Sequence, residues 1–309
     1  MAHLELTERS KQFAPKIFNF LGLIFLGLIV FSCKDKKEEI SHQRGEMTIW
    51  VDPANKNLIE ALTDVYVMKF PEVKFKFVYE PENIILQNLI NSKATAAFIN
   101  KPLSDQQTKY IYQQTTIEPR STLLAYDAVI FIAGKESSIE SVSIDDLKNS
   151  LLANDNRFVF DDGNSGNFNT VTNILKIEIQ QGQKVRALEN SQQVIEFVTQ
   201  STGTVGIIGM NVISEKDNPE VKEILSKIKV LPIKDSANVL REPTVENILE
   251  FNYPFFKGVY FIVSEPGFGI GSGFSRFAGS QQGQLIVGRE GLQPNFLYDR
   301  QVKINNNPL

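Results

Sequence analysis

Most of the chemistry legible in this sequence lies in one stretch, Asp161-Asp162-Gly163-Asn164-Ser165-Gly166-Asn167. It follows an aromatic and β-branched run, Phe158-Val159-Phe160. It precedes a segment from Phe168 to Ile179 in which Val171, Ile174 and Leu175 recur at helical spacing. The order is strand, tight turn, helix, with Ser165 or Asn164 as N-cap. The first N–H groups of a helix have no intrahelical acceptor, and the helix dipole adds partial positive charge there. Gly166 lets a ligand approach the backbone closely, and a small oxyanion suits that arrangement best. A capped strand–helix turn with no ligand is the other reading. Asp161 and Asp162 are the only paired carboxylates in this turn, but adjacent turn residues diverge, so acid–base catalysis on one substrate is not expected.

Composition narrows the choice. With 309 residues, 42% hydrophobic and 22% charged, the chain is long enough for two globular domains. A net charge of −4 and a pI near 5.5 argue against a nucleic-acid partner. The histidines, His3 and His42, both fall outside the expected fold, and there is one cysteine. No metal, no cofactor and no histidine-based catalytic arrangement is expected, so the chain reads as a non-enzyme.

Residues 1–32 read as an export signal: Lys11 and Lys16 precede an apolar run, Ile17–Phe31, too short to span a bilayer. Val30-Phe31-Ser32-Cys33 resembles a lipobox, which implies cleavage before Cys33 and lipidation of that cysteine. Residues 33–46 have almost no apolar content and read as a flexible tether.

The fold is expected to begin at Met47-Thr48-Ile49-Trp50-Val51, a strand, followed by Asp52-Pro53 at the start of a helix. Val73–Tyr79 and Ala94–Ile99 read as strands. Asn100-Lys101-Pro102-Leu103-Ser104 leads into a helix that Ser104 caps. Leu123–Ala133 is apolar except for Tyr126 and Asp127, and Gly203–Gly209 is a glycine-punctuated strand. Strands alternating with helices predict an α/β protein with mainly parallel sheets.

Taken in order, these segments resemble the substrate-binding proteins of phosphate ABC transporters, of the two-lobed periplasmic-binding type. The resemblance covers residues 47–292. It rests on Lys101-Pro102-Leu103-Ser104-Asp105, Ala125-Tyr126-Asp127, Gly163-Asn164-Ser165-Gly166, Gly203–Gly209, Tyr253-Pro254, Val259–Val263, Phe277–Gln284 and Gly291-Leu292-Gln293-Pro294. It implies a type II fold: two α/β lobes, 47–127 plus 251–309 and 128–250, with ligand in the cleft between them and hinge closure around it. It further implies ligand contacts at Asp52, Ala54, Asn100, Lys101, Asp161, Ser165, Gly166 and Asn167.

Several of these positions depart from the family pattern. Asp161 stands where the resemblance implies an arginine, Asn100 where it implies an aspartate, and Asn167 where it implies a threonine. Asp52-Pro53-Ala54-Asn55 replaces a loop rich in glycine and hydroxyl side chains. A carboxylate in place of an arginine within ~5 Å of a dianion turns attraction into repulsion. Lys56 and Lys101 are the nearby candidates to supply positive charge, or else solvated surface lysines. On this reading Asp161→Arg restores phosphate affinity. The expected function is a monomeric extracytoplasmic lipoprotein of the cell envelope, periplasmic or surface-exposed and Gram-negative, anchored to the membrane through Cys33. It captures phosphate or a related small anion for an ABC permease. The alternative is a sensor or interaction module on the same fold that no longer binds phosphate.

Overall fold

The computed structural model describes residues 41–153, 155–178, 185–215 and 217–297. The expected export signal and Cys33 lie outside these residues. Among the described residues no helix is long and apolar enough to cross a membrane.

β1 (Arg44–Val51) turns Ile49 and Val51 into the core. Asp52 caps a short 3-10 turn, Pro53–Asn55, its Oδ1 accepting from the Ala54 amide at 3.0 Å. α1 (Lys56–Lys69) follows, with Leu58, Ile59, Leu62 and Tyr66 on one buried face. β2 (Glu72–Tyr79), α2 (Glu82–Ile90) and the fully buried β3 (Ala96–Ile99) come next. α3 (Asp105–Thr115) starts on a reciprocal box in which Ser104 and Gln107 each hydrogen-bond the other's backbone amide. The long β4 (Arg120–Gly134) leads through β5 (Val142–Ser143) and α4 (Ile144–Ala153) to β6 (Phe158–Phe160) and α5 (Gly166–Leu175). α6 (Ser191–Gln200), β7 (Val205–Gly209), α7 (Pro219–Lys227), β8 (Ile228–Leu231), β9 (Ile233–Lys234), β10 (Leu240–Arg241) and α8 (Val245–Leu249) complete that half. The chain then returns through β11 (Phe256–Val263), α9 (Ile270–Ala278), α10 (Gln281–Arg289) and β12 (Gln293–Pro294).

Among the described residues nine strands form one sheet, in the order β2-β1-β3-β11-β4-β7-β6, with β8 and β12 also paired to β4. β1 runs parallel to β2 and β3, and β6 parallel to β7. β11 is antiparallel to both its neighbours, and β4 to all of its own. The sheet is therefore mixed rather than mainly parallel, because β11 and β4 in its middle run antiparallel to each other and to their other neighbours. One apolar core gathers residues between Ala128 and Phe255 around β4, β6 and β7. A second gathers Ile49 to Ala125 with Val259 to Leu292. This is the expected two-lobed α/β fold.

Two boundaries differ from expectation. β1 starts at Arg44 rather than Met47, and residues 44–46 pair with Glu72–Lys74. Their side chains are exposed, which is why no apolar signal marked them. His42 also belongs to the fold: its carbonyl accepts from the Tyr66 hydroxyl at 2.7 Å, and its ring stacks edge-on with Phe70 and Phe268. α5 ends at Leu175 rather than Ile179, because Lys176 adopts a left-handed conformation and breaks the helix.

Candidate functional site

The site is built around a buried cation. Lys257 and Asp127 are directly paired residues of β11 and β4. Lys257 is 4% exposed and Asp127 2%. A lysine this deep needs compensation, since an isolated ammonium in protein interior is strongly disfavoured. Its Nζ lies 3.4 Å from Asp127 Oδ2 and donates to Asn167 Oδ1 at 2.6 Å. The contact with Asp127 is an ion pair without hydrogen-bond geometry, so Asp127 Oδ2 keeps a free lone pair.

Two further carboxylates lie within the field of Lys257. Asp161, fully enclosed, accepts from Ser165 Oγ at 3.0 Å, Asn167 Nδ2 at 2.7 Å and Ser191 Oγ at 3.1 Å. Asp52 accepts the Gly166 amide on Oδ2 at 3.0 Å. Burial pushes the pKa of all three carboxyls up while Lys257 pulls each down. For Asp52 the balance, with Glu82 adding its own repulsion, comes to about 6.

The start of α5 has the local structure its sequence dictates. Ser165 is the N-cap, its Oγ accepting from the Phe168 amide at 3.2 Å. Gly166 is required by close approach: a Cβ there would lie 2.0 Å from Asn100 Nδ2. The acceptor of the Gly166 amide comes from the opposite side of the cleft, from Asp52 just after β1. Other contacts cross the same gap. Asn211 Nδ2 donates to the Ala54 carbonyl, Asn169 Nδ2 to Asn83 Oδ1 at 3.0 Å, and the Asn83 amide to the Asn164 carbonyl at 3.4 Å.

The residues expected at the site therefore converge, but in roles of their own. Asn100 accepts from Asn55 Nδ2 at 3.2 Å, and its amide is held by Glu82 Oε2 at 2.7 Å. Lys101 is committed to Glu82 at 3.3 Å. Lys56 lies over the Tyr79 ring, 5.6 Å from its centre, and lines a cavity of about 270 Å³ together with Asp52, Ala54, Asp161 and Ser165. Neither lysine takes the place of the implied arginine. Lys257 is the cation of the site, and sequence reasoning missed it. Its signal was faint: one lysine in the apolar β11 and one aspartate in the apolar part of β4. Among the described residues no three metal-ligating side chains gather as a metal site.

Residues 37–282 match the family model described as the PBP superfamily domain. The chain belongs to the PBP superfamily. No curated protein sequence matches it. Its fold is similar to that of a provisionally described phosphate ABC transporter substrate-binding protein from Clostridium perfringens with bound phosphate. There the TM-score is 0.64 at 15% identity, covering 81% of this chain and 99% of the other. An ABC-type phosphate transport receptor from Vibrio cholerae gives 0.60 at 13% identity, covering 81% and 100%. PstS from Borrelia burgdorferi gives 0.51 at 18%, covering 81% and 99%.

Within this PBP superfamily site, the geometry reverses one expectation. Asp161 faces into its own side of the cleft, where it gathers three donors. Asp161→Arg would strand those donors and introduce a second cation beside Lys257. It is expected to destabilise the fold by more than ~3 kcal/mol rather than to create an anion site. Urea unfolding of the variant checks this, and a stable variant with enhanced phosphate binding would reinstate the sequence-based expectation.

Proposed function

We propose that this protein is an extracytoplasmic, lipid-anchored solute-binding protein that closes two lobes over a small polar solute and presents it to an ABC permease. We take the lobes as 47–127 plus 251–309 and 128–250; the two apolar cores support this division, except that Tyr253 and Phe255 pack in the core of the second lobe. The observation that carries the reading is where the unmet polar atoms lie. Among the described residues the buried side-chain atoms lacking a hydrogen-bond partner are Asn55 Oδ1, Asn100 Nδ2, Asp127 Oδ2 and Asn211 Oδ1. Asn55 bonds Asn100 on one side of the cleft, and Asn211 bonds Ala54 across it. Folded proteins leave few such groups unpaired; here Asn55 and Asn100 are bonded to each other, and Asn211 Oδ1 and Asp127 Oδ2 both lie beside Gly209, which supports a polar solute there.

Those atoms also describe the solute. Three are acceptors and one is a donor, so a fitting ligand brings hydrogen-bond donors. Dihydrogen phosphate, with two O–H groups and a single charge, meets this better than the phosphate dianion, and sulfate, with no donor, meets it worst. Phosphate or a related small anion is the ligand class suggested by the proteins this fold resembles, and the three buried carboxylates restrict it to a protonated form. Thermal-shift and calorimetric measurements on the purified protein with phosphate at pH 5.5 and 8, sulfate, small amines and sugars separate these cases. A binder raises apparent stability in proportion to its occupancy of the folded state. If no solute at millimolar concentration shifts the midpoint, the solute-binding reading fails.

The second reading, a sensor or interaction module without a transported solute, is favoured by Asp52 bridging the cleft with its own side chain. It requires the protein to stay closed in every solute tested while still engaging a partner. Anchoring has its own check. Cys33→Ala is expected to leave the chain unlipidated and its signal uncut, and fractionation with palmitate labelling reads the outcome. Unchanged labelling and size would remove the lipobox.

A further inference from the structure

We propose that a cavity on the first lobe, at the end of its sheet away from the cleft, binds the phosphodiester headgroup of an anionic phospholipid in the membrane that holds the chain. The chemistry of the cavity stands by itself; the choice of a membrane lipid over a free phosphate ester rests on the anchored reading above.

The cavity, about 550 Å³, opens between β4 and α9. Arg120 and Thr122, two apart on β4, put their side chains on one face of the strand. Ser272, Ser275 and Arg276 stand three and four apart on α9 and share one face of the helix. The two faces meet: Ser275 Oγ donates to Thr122 Oγ1 at 2.9 Å, and Arg120 Nη2 donates to Ser272 Oγ. Both arginines are exposed, and no carboxylate lines the cavity. Among the described residues neither guanidinium has an ion-pair partner. Glu265 lies beside Ser272 but accepts the Gly271 and Ser272 amides. Two guanidiniums against that one carboxylate leave a single positive charge, the complement of a phosphodiester, whose oxygens suit the paired donors of arginine.

The rim is apolar. Phe268 and Phe296 border the cavity at 45% and 40% exposed, and Leu297 follows at 76%. Cations flanked by exposed aromatic rings suit a membrane–water interface, where the rings meet acyl chains and the charges meet phosphates. The position agrees. Arg120 pairs with Val263, and Val263 with Ala96, at the far end of β3 from Asn100 and the cleft. A headgroup bound there leaves the cleft open to solute. His42, at the beginning of the described chain, packs its ring on Phe268 with centroids 5.1 Å apart. Ser41 is the eighth residue after Cys33, so at most about 29 Å of chain separates it from a lipid on that cysteine.

The test uses the full chain in neutral maltoside micelles doped with phosphatidylglycerol or, at the same mole fraction, phosphatidylcholine. Phosphatidylglycerol is expected to raise the thermal midpoint by about 3 °C or more over phosphatidylcholine. Arg120→Gln and Arg276→Gln should each lose at least half of that difference while keeping the wild-type midpoint in phosphatidylcholine. Arg276→Lys, which keeps the charge without the fork, replaces a glutamine variant that does not fold, and should also shift less than wild type. Lys234→Gln makes the same charge change on an exposed lysine of the second lobe and should keep the full difference. Soluble glycerol phosphate should give less than half of it, having no acyl chains to meet Phe268 and Phe296. Equal shifts in the two lipids, a full shift in the arginine variants, or an equal loss in Lys234→Gln overturns the inference. So does full reproduction by glycerol phosphate, which would make the ligand a free ester. Phosphate binding in the cleft would add equally to wild type and variants and cancel between them. The lipid is supplied in the micelle, so Cys33→Ala should show the wild-type shift, and failure of the anchor and failure of the cavity are separate results.

Discussion

Lys257→Met is expected to cost the fold about 3–5 kcal/mol, the loss seen when one partner is removed from a buried charge constellation. The side chains are similar in length, so packing changes little and the charge term dominates. In the native protein Lys257 favours the ionised form of Asp52, Asp127 and Asp161 together. Without it, three enclosed carboxylates have only hydrogen bonds to hold them, and Asn167 Oδ1 loses its donor. The variant should therefore recover part of its stability in acid, where the carboxyls are neutral. Urea unfolding at pH 7.5 and 5 measures both effects. A loss below about 1 kcal/mol at pH 7.5 would show that the site is wet enough to screen its own charges.

The Asp52 contribution to wild-type stability should also fall as pH rises from about 4 to about 6, opposite in sign to that of paired surface carboxylates such as Asp235. The Asp52 carboxyl has a folded pKa of about 6 against 3.8 for the free group. Between those values the native state holds a proton that the unfolded chain releases, so neutralising the solution favours unfolding. Asp52 stabilises the fold fully below the unfolded value and loses that contribution as the pH passes through the folded one. The interval of about two pH units sets an upper limit of ~3 kcal/mol. Asp127 and Asp161 are raised as well and act in the same direction. Midpoints measured from pH 4.5 to 8 in wild type and Asp52→Asn isolate the share of Asp52. Parallel curves for the two proteins would show that Asp52 does not titrate in this range.

Sequence reasoning reached the local parts of this protein and stopped at the long-range ones. Ser165 caps α5 and Ser104 caps α3 because each cap is decided within four residues of the helix start. The strand β7 was legible as a glycine-punctuated apolar run, and the start of α1 from Asp52-Pro53, for the same local reason. The direction of β4 and β11 did not, since alternation of strands and helices says nothing of which central strands run backwards. The site was half legible. Asp52, Asn100, Asp161, Ser165, Gly166 and Asn167 do meet, but their roles depend on partners far along the chain. Gly166 receives its acceptor from residue 52, and Asp127 its counter-ion from residue 257. No spacing rule links such positions. A lone charge in each of two apolar strands was the available clue, and it acquires meaning only once the strands are known to be neighbours.

The wiring of the central sheet also bears on when the chain can fold. β3 is paired on one side by β1, but on the other by β11, with Ile99 opposite Tyr260. Val259 and Phe261 of β11 share the core of β1 and α1. A ribosome that has released the first two hundred residues has therefore made β1, β2 and β3 with one edge of their sheet still open. Contacts between such distant residues are slow to form, because the intervening loop must be closed before they repay it. The amino-terminal half is thus expected to stay pliable until synthesis nears its end. On the proposed export route, where the chain is threaded unfolded through a membrane, late completion of the sheet is an advantage set by strand order alone.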